Sequence, residues 1–158
     1  MNIIVFIGCP AAGKSTFFKQ HFVDSHIRLN LDMLKTRHRE RILLQACFDA
    51  KQPCVIDNTN PTVASRQAYI AAAKAAHFRV IAYFFITDLH TALQRNAQRV
   101  GKAKIPEVGV RAIYRTLQAP HYSEGFDEIY HVLLTEPEGF HCKKIANDSS
   151  AATQTAAR

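Results

Sequence analysis

The chain has 158 residues, of which 47% are hydrophobic and 21% charged, so we expect one folded domain and not a disordered chain. Its apolar runs fall short of the roughly 20 residues that a membrane helix needs, and its start lacks the features of a signal peptide. The four cysteines and eight histidines show no disulfide or metal-ligand spacing, which favours a reducing, cytoplasmic location. The net charge of +7 indicates an anionic partner, although a solvated basic surface would give the same charge.

Five apolar segments are predicted strands, and the longer stretches between them are predicted helices. The strands are Ile3–Ile7, a short piece at Arg28–Leu31, Pro53–Asp57, Arg79–Ile86 and Glu128–Leu134. The helices are Lys14–Phe22, Met33–Lys51, Thr62–Ala76, Asp88–Gln98 and Glu107–Leu117. Because near-continuously apolar strands alternate with helices, we predict a three-layer αβα fold around a parallel sheet of four to five strands. Residues 1–146 would form this domain, and residues 147–158, which are poor in bulky apolar side chains, a mobile tail.

The segment between the first strand and the first helix matches the pattern G-x-x-x-x-G-K-[ST]. Its residues, with the threonine that follows, are Gly8, Cys9, Pro10, Ala11, Ala12, Gly13, Lys14, Ser15 and Thr16. In this motif the backbone N–H groups surround phosphate oxygens at the positive end of a helix. The motif assigns Lys14 to the β- and γ-phosphates of ATP and the Ser15 hydroxyl to Mg²⁺. We therefore predict a P-loop NTPase domain.

Two aspartates lie at the carboxyl ends of predicted strands, Asp32 just after one and Asp57 as the last residue of another, at the edge where parallel sheets bind their ligands. Asp32, in "RLNLDML", is either a helix cap, a general base for an acceptor hydroxyl or a partner of Mg²⁺. Asp57 opens "DNTN" and is predicted to bind Mg²⁺ or to position a substrate, because a charge at the end of a buried strand is costly when it binds nothing. The alternative is that Asp57, Asn58 and Asn60 simply form a turn.

Basic residues are concentrated in two segments. The first is "KTRHRER" at 35–41, and the second runs from Arg95 to Arg115 with six basic residues and one acid. Arg95 and Arg99 are one helical turn apart, and the loop "VGKAKIP" follows them. We predict either a mobile basic lid that brings charge to a transferring phosphate or an ordinary charged surface.

Five segments together resemble the 5′-kinase domain of the polynucleotide kinase family over about residues 1–134. They are "GCPAAGKST", "LNLD", "DNTN", "RNAQR" and "APHYSEGFDEI". The resemblance implies a nucleoside-kinase-like P-loop fold and transfer of the γ-phosphate of ATP, with Mg²⁺, to the 5′-hydroxyl end of DNA or RNA. It makes Asp32 the general base, Lys14 and Ser15 the phosphate and Mg²⁺ residues, and Arg99, with Arg95 one turn earlier, the lid arginines.

The same resemblance implies roles on the acceptor side. Asp57, Asn58 and Thr59 would line the acceptor, and the family carries an arginine three or seven residues after its base. Lys35 and Arg39 occupy those two places here, and on one continuous helix they would share a face. The phosphatase signature D-x-D-G-T does not occur in the sequence, so we do not expect a phosphatase activity.

Two other functions compete with this prediction. A P-loop kinase for a small hydroxylated metabolite or nucleotide would use the same catalytic residues without needing the basic segments. A non-catalytic, ATP-dependent binding module would need Lys14 but not Asp32. The sequence indicates neither a membrane nor an obligatory protein partner.

Overall fold

In the computed structural model, which describes residues 1–148, six strands form one sheet in the order β2-β3-β1-β4-β5-β6. The strands are β1 (Asn2–Ile7), β2 (Ile27–Leu29), β3 (Cys54–Ile56), β4 (Arg79–Ile86), β5 (Glu128–Thr135) and β6 (Gly139–Lys144). The first five strands are parallel, and β6 runs antiparallel to β5. The predicted α/β class and its parallel sheet are therefore confirmed.

Within residues 1–148, six α-helices connect the strands. They are α1 (Lys14–His21), α2 (Leu31–Leu34), α3 (Arg37–Asp49), α4 (Val63–Ala75), α5 (Leu89–Ala97) and α6 (Glu107–Thr116). Short 3₁₀ turns follow α5 at Gly101–Ala103 and α6 at Tyr122–Glu124. None of the helices within residues 1–148 is long and apolar enough to cross a membrane.

Both faces of the sheet are covered, because successive side chains of β1 point in opposite directions. Ile3, Val5 and Ile7 pack in one core with buried residues of α3 and α4. Ile4 and Phe6 pack in a second core with buried residues of α1, α5 and α6. This arrangement gives the predicted three layers and explains why β1 is apolar along nearly its whole length.

The single helix predicted over Met33–Lys51 is wrong, because the chain forms α2 and α3 with a break between them. Lys35 has φ 73°, outside the helical region, and Thr36 caps the start of α3, because its side chain accepts a hydrogen bond from Arg39 N at 3.2 Å. A threonine in this position satisfies an N–H group that the helix leaves free. Lys35 and Arg39 therefore do not share a helical face, which corrects that expectation.

The antiparallel strand β6 was not predicted, because its sequence "GFHCKK" lacks an apolar run and most of its side chains are exposed. It forms the edge of the sheet, where polar side chains are usual. Phe140 is the exception, since its ring lies 5.1 Å from the ring of Phe17 in α1, centroid to centroid. The predicted tail at 147–158 lies almost entirely outside the described residues, so the domain boundary at 146 stays a prediction.

Candidate active site

The phosphate loop leaves the carboxyl end of β1 and enters α1, and two of its glycines are required by their surroundings. Gly13 has φ 96°, and a Cβ there would lie 3.0 Å from the ring of Phe140. At Gly8 a Cβ would lie 2.9 Å from Phe85 Cβ. Gly8 N also donates to Thr59 O at 3.0 Å, so the loop is tied to the segment that follows β3.

A cleft of about 310 Å³ opens beside this loop, at the carboxyl ends of β1, β2 and β3. Ligands of parallel sheets bind at this edge. The sequence-predicted residues that line the cleft are Pro10, Ala11, Lys14, Ser15, Asp32, Asp57, Asn58, Thr59 and Arg99. The remaining residues of the phosphate loop, which lie outside this lining, are Gly8, Cys9, Ala12, Gly13 and Thr16. The fold thus brings together most of the residues that the sequence singles out.

Three basic residues predicted for the site lie outside the cleft lining. Lys35 is exposed at the break between α2 and α3, and Arg39 turns back to donate to Leu34 O at 3.2 Å. Arg95 is near enough to the loop to act on Cys9, whose pKa is raised by burial and lowered in part by the charges of Lys14 and Arg95. None of the three is placed to touch a ligand within the cleft itself.

Lys14 lies in the curve of the loop, where Nζ donates to Gly8 O at 3.0 Å and to Cys9 O at 2.6 Å. Burial lowers the pKa of Lys14 to about 8, and the charge of Asp57 partly opposes this shift. Both acceptors are neutral carbonyl groups, and an ionised phosphate oxygen is a stronger partner for an ammonium group. Lys14 is therefore positioned to exchange these partners for phosphate.

Ser15 and Asp57 approach each other at the entrance to α1. Ser15 Oγ donates to Asp57 Oδ2 at 3.3 Å, and the Asp57 residue is only 2% exposed. Mg²⁺ prefers oxygen ligands and is usually bound through one or two carboxylates together with phosphates and waters. The two side chains fit that ligand type, and within residues 1–148 no cluster of three or more His, Cys, Asp or Glu offers an alternative metal site.

Sequence reasoning missed Arg28, which contacts both of these groups. Arg28 Nε donates to Asp57 Oδ2 at 2.7 Å, and Nη2 donates to Ser15 Oγ at 2.8 Å. The available signal was an arginine inside a short predicted strand that leads directly to the cleft. A charged residue within a strand indicates a partner of opposite charge nearby, and Asp57 is that partner.

Asp32 is not the cap of α2, so that interpretation of the residue is wrong. Asn30 is the cap, because its Oδ1 accepts from Met33 N at 3.1 Å, and its Nδ2 donates to Asp57 O at 2.6 Å. The Asp32 carboxylate is exposed to the cleft and has no hydrogen bond to other residues among 1–148. Its charge acts on Lys14 and favours the protonated lysine. Asp32 is thus available to an incoming group.

The "DNTN" segment forms a wall of the cleft and is held by a polar network. Asn58 Oδ1 accepts from Leu31 N at 3.0 Å, and Asn58 Nδ2 donates to Glu40 Oε2 at 2.8 Å. Glu40 Oε1 accepts from Tyr69 OH at 2.6 Å and from Arg37 Nη1 at 3.1 Å. Arg37 lines the cleft although its side chain is 66% exposed, and sequence reasoning missed it. Because the helix is broken at Lys35, Arg37 and not Arg39 is the arginine of "KTRHRER" that lines the cleft beside this wall.

The predicted lid is the connection from α5 to α6, and its start is held by a buried asparagine. Asn96 Nδ2 donates to Ile105 O at 2.6 Å, and Asn96 Oδ1 accepts from Ile105 N at 3.0 Å. Arg99 Nη1 donates to Ala103 O at 3.3 Å, and its charge lowers the pKa of Lys14. This connection therefore places one guanidinium in the cleft, facing the phosphate loop.

The phosphate loop leaves a parallel strand of a three-layer fold, and across the cleft it faces a guanidinium group and a carboxylate that is unpaired within residues 1–148. These features define a P-loop domain with kinase architecture. A family model described as an AAA domain matches residues 3–120, and the chain belongs to that family of P-loop domains.

Two curated relatives indicate more closely which P-loop proteins this chain is similar to. The chain is 29% identical over 155 residues to the bifunctional polynucleotide phosphatase/kinase of Schizosaccharomyces pombe (strain 972), covering 94% of this chain and 36% of the relative. It is 33% identical over 135 residues to a protein of Acanthamoeba polyphaga mimivirus provisionally named as a bifunctional polynucleotide phosphatase/kinase, covering 81% of this chain and 32% of the relative. The chain thus spans about a third of the length of these relatives.

Among solved structures, the fold is similar to a gluconokinase from Sinorhizobium meliloti 1021, with a TM-score of 0.60 at 16% identity over 86% of this chain and 84% of that one. This likeness concerns the fold. Together the comparisons confirm the prediction of a P-loop kinase domain that resembles the polynucleotide kinase family, and they support the class of ATP-dependent phosphotransferases.

Proposed function

We propose that the protein is an ATP- and Mg²⁺-dependent kinase that transfers the γ-phosphate of ATP to the 5′-hydroxyl end of DNA or RNA. The observation that carries the proposal is the position of Asp32. Asn30 caps α2, so the Asp32 carboxylate lines the same cleft as Lys14 and Arg99 without a partner among residues 1–148. The names of the two phosphatase/kinase relatives support a polynucleotide acceptor.

In this proposal the phosphate loop and Lys14 bind the β- and γ-phosphates. Ser15, assisted by Asp57, would hold Mg²⁺, and the ion would supply positive charge beside the phosphates. Asp32 accepts the proton of the acceptor hydroxyl as the oxygen attacks. Arg99, with Arg95 behind it, stabilises the charge on the phosphoryl group that is transferred. Positioning and electrostatic stabilisation would supply most of the rate enhancement, as they do in phosphoryl transfer generally.

The acceptor would lie against the wall formed by Asp57, Asn58 and Thr59. Arg37 lies within the cleft, where it would contact the phosphate nearest the reacting hydroxyl. Lys35 and Arg39 lie outside the lining, where only an acceptor that extends beyond the cleft would reach them. Cations both inside and beyond the cleft favour a strand of nucleic acid over a small metabolite as the acceptor.

The proposal is tested by transfer of label from γ-labelled ATP to oligonucleotides with a 5′-hydroxyl, both single- and double-stranded, DNA and RNA. We expect labelled product, and we expect Asp32→Asn to lower kcat by about a hundredfold or more while ATP binding persists. Asp24→Asn is the matched control, because Asp24 is exposed before the start of β2, at the opposite end of the sheet.

Each alternative gives a different result. A small-metabolite kinase would label a hydroxylated small molecule but none of the oligonucleotides. A non-catalytic module would bind ATP, transfer no label and show no response to Asp32→Asn.

A further inference from the structure

Arg28 holds together the two side chains that would bind Mg²⁺. Its Nε lies 2.7 Å from Asp57 Oδ2, and its Nη2 lies 2.8 Å from Ser15 Oγ. These are the two oxygen atoms that also approach each other at 3.3 Å. One guanidinium thus engages both candidate metal ligands with its charge directed at them.

We propose that Arg28 is a displaceable cation that competes with Mg²⁺ for Ser15 Oγ and Asp57 Oδ2, so that Mg²⁺ binds after Arg28 has released these atoms. The inference rests on the Mg²⁺ site of the proposed function and adds to it a residue that controls access to that site.

Arg28 and Mg²⁺ compete for the same two oxygen atoms, because of the distances involved and because both carry positive charge. Mg²⁺ binds oxygen ligands at about 2.0–2.1 Å, and the guanidinium nitrogens already lie within 2.8 Å of the same oxygens. Two cations on shared ligands repel each other strongly where the surroundings are poorly hydrated. Arginine does not lose its proton in proteins, so Arg28 relieves this repulsion by moving and not by becoming neutral.

The free protein needs such a cation because of Asp57. The side chain of Asp57 is 2% exposed, and a buried carboxylate without a partner is strongly destabilising. Arg28 supplies the compensating charge until a metal ion replaces it. Ser15 is uncharged, and Lys14, whose charge also attracts Asp57, donates its hydrogen bonds to Gly8 O and Cys9 O instead.

Arg28 is also able to leave. Its side chain is 27% exposed, and β2 is the outermost strand on its side of the sheet. The guanidinium carbon already lies 5.8 Å from the centre of the Phe18 ring, which offers a neighbouring contact. Arg66 provides the contrast, since it is fully buried, donates to four acceptors and has no such route to solvent.

Competition of this kind raises the apparent dissociation constant of the metal. The apparent constant equals the intrinsic constant divided by the fraction of molecules in which Arg28 has left the site. If Arg28 engages Ser15 and Asp57 in about nine molecules out of ten, its removal strengthens metal binding about tenfold.

The first test measures Mn²⁺ binding by electron paramagnetic resonance in the presence of the non-hydrolysable ATP analogue AMPPNP. Arg28→Met keeps the apolar stem and removes the charge, and we expect the Mn²⁺ dissociation constant to fall about tenfold. Arg79→Met is the matched control with no expected change, because Arg79 pairs with Glu128 at 3.0 Å near the amino-terminal end of β4. An unchanged or higher dissociation constant in Arg28→Met overturns the proposal.

The second test uses the wild-type protein, so it does not depend on the folding of a variant with an unpaired Asp57. Arginine side chains are labelled with ¹⁵N, and the Arg28 Nε–H resonance is identified by its loss in Arg28→Lys. We expect this resonance to shift when Mg²⁺ is added to the AMPPNP complex, because the hydrogen bond to Asp57 breaks. An Nε–H resonance that Mg²⁺ leaves unchanged overturns the proposal.

Neither measurement includes an acceptor, so both tests of Arg28 are independent of which acceptor the protein phosphorylates. A protein that behaves as expected in both tests but phosphorylates no polynucleotide contradicts the proposed acceptor alone. Oligonucleotide phosphorylation with an unchanged Mn²⁺ dissociation constant in Arg28→Met contradicts the role of Arg28 alone.

Discussion

Ala11 occupies a place in the phosphate loop whose backbone favours glycine. Its φ is 63°, and a side chain in this left-handed region costs about 1–2 kcal/mol. We therefore expect Ala11→Gly to raise the free energy of unfolding by about 1 kcal/mol, measured by urea denaturation.

The neighbouring alanine provides the control for this substitution. Ala12 is buried, and its φ is not positive, so Ala12→Gly should lower the free energy of unfolding by about 1 kcal/mol. Equal destabilisation by both glycines would show that the loop stores no strain at Ala11.

The lowered pKa of Lys14, about 8, predicts that nucleotide binding takes up a proton in alkaline solution. Phosphate charge favours the protonated lysine and raises its pKa again. At about pH 7 Lys14 is protonated in both states, whereas at about pH 9 it is mostly neutral until the nucleotide binds. Affinity for AMPPNP should therefore fall as the pH rises above 8.

Calorimetry in buffers with different ionisation enthalpies measures this proton uptake directly. We expect an additional uptake at about pH 9 over that at about pH 7, and its loss in Lys14→Arg, because arginine stays protonated throughout. Equal uptake at both pH values would contradict the assignment of the shift to Lys14.

The break between α2 and α3 determines which cation reaches the acceptor wall. The sequence contained a signal for this break, because threonine is favourable at the position just before a helix, which Thr36 occupies. The signal was not recognised, because the helix-like stretch predicted over Met33–Lys51 continues on both sides of Thr36. Asp32 and Asp57 could be predicted because both follow strands, while Arg37 depended on the exact helix start and so could not be.

The buried pair Arg66–Glu124 connects α4 to the 3₁₀ turn after α6. Arg66 is fully buried and donates to both carboxylate oxygens of Glu124, at 2.8 and 3.0 Å. It also donates to Asn60 O at 3.1 Å and to Gln118 O at 2.9 Å, which fixes the "DNTN" wall. Arg66→Met should lower the free energy of unfolding by about 3–5 kcal/mol, because Glu124 is left buried and unpaired.

Urea denaturation measures this loss, and Arg79→Met serves as the exposed comparison. Its partner Glu128 is more accessible and the Arg79 side chain is 60% exposed, so the expected loss is below about 1 kcal/mol. Similar losses for the two arginines would contradict the stabilising role of Arg66.

The excess positive charge of the whole chain predicts salt-sensitive binding of a polynucleotide. Lys102 and Lys104 are exposed in the lid that follows Arg99. Reversing both charges to glutamate should weaken oligonucleotide binding about tenfold or more and reduce the slope of log affinity against log salt by about 2. The measurement is oligonucleotide affinity at several salt concentrations.

The control reverses the same charge far from the cleft, at Lys19 and Lys51, which are exposed near the ends of α1 and α3 remote from the phosphate loop. This control should leave the slope almost unchanged. An equal effect of the two double variants would mean that net charge alone attracts the strand, and no effect of either would favour a small acceptor.

Much of the fold could be predicted because its central strands are apolar and its phosphate loop has a defined pattern. The parallel order, the two covered faces and the gathering of Lys14, Asp32 and Asp57 all follow from these signals. The contacts of Arg28 could not be predicted, because its partners Asp57 and Ser15 lie 29 and 13 residues away in the sequence. The strand β6 could not be predicted, because it pairs with its neighbour β5 at the edge of the sheet and lacks an apolar run. Periodicity reports which face of an element is buried but not which distant residue it meets.

The contact between Phe140 and Gly13 joins the opening turn of α1 to the strand that comes last among the described residues. During synthesis the phosphate loop leaves the ribosome before β6, so its aromatic cover, Phe140, is made after the five other strands of the described sheet. A nascent chain that has not yet produced β6 therefore lacks the Phe140 ring that lies against Phe17 and beside the turn at Gly13. Acquisition of nucleotide binding should accordingly coincide with the emergence of β6 and not with that of the motif itself.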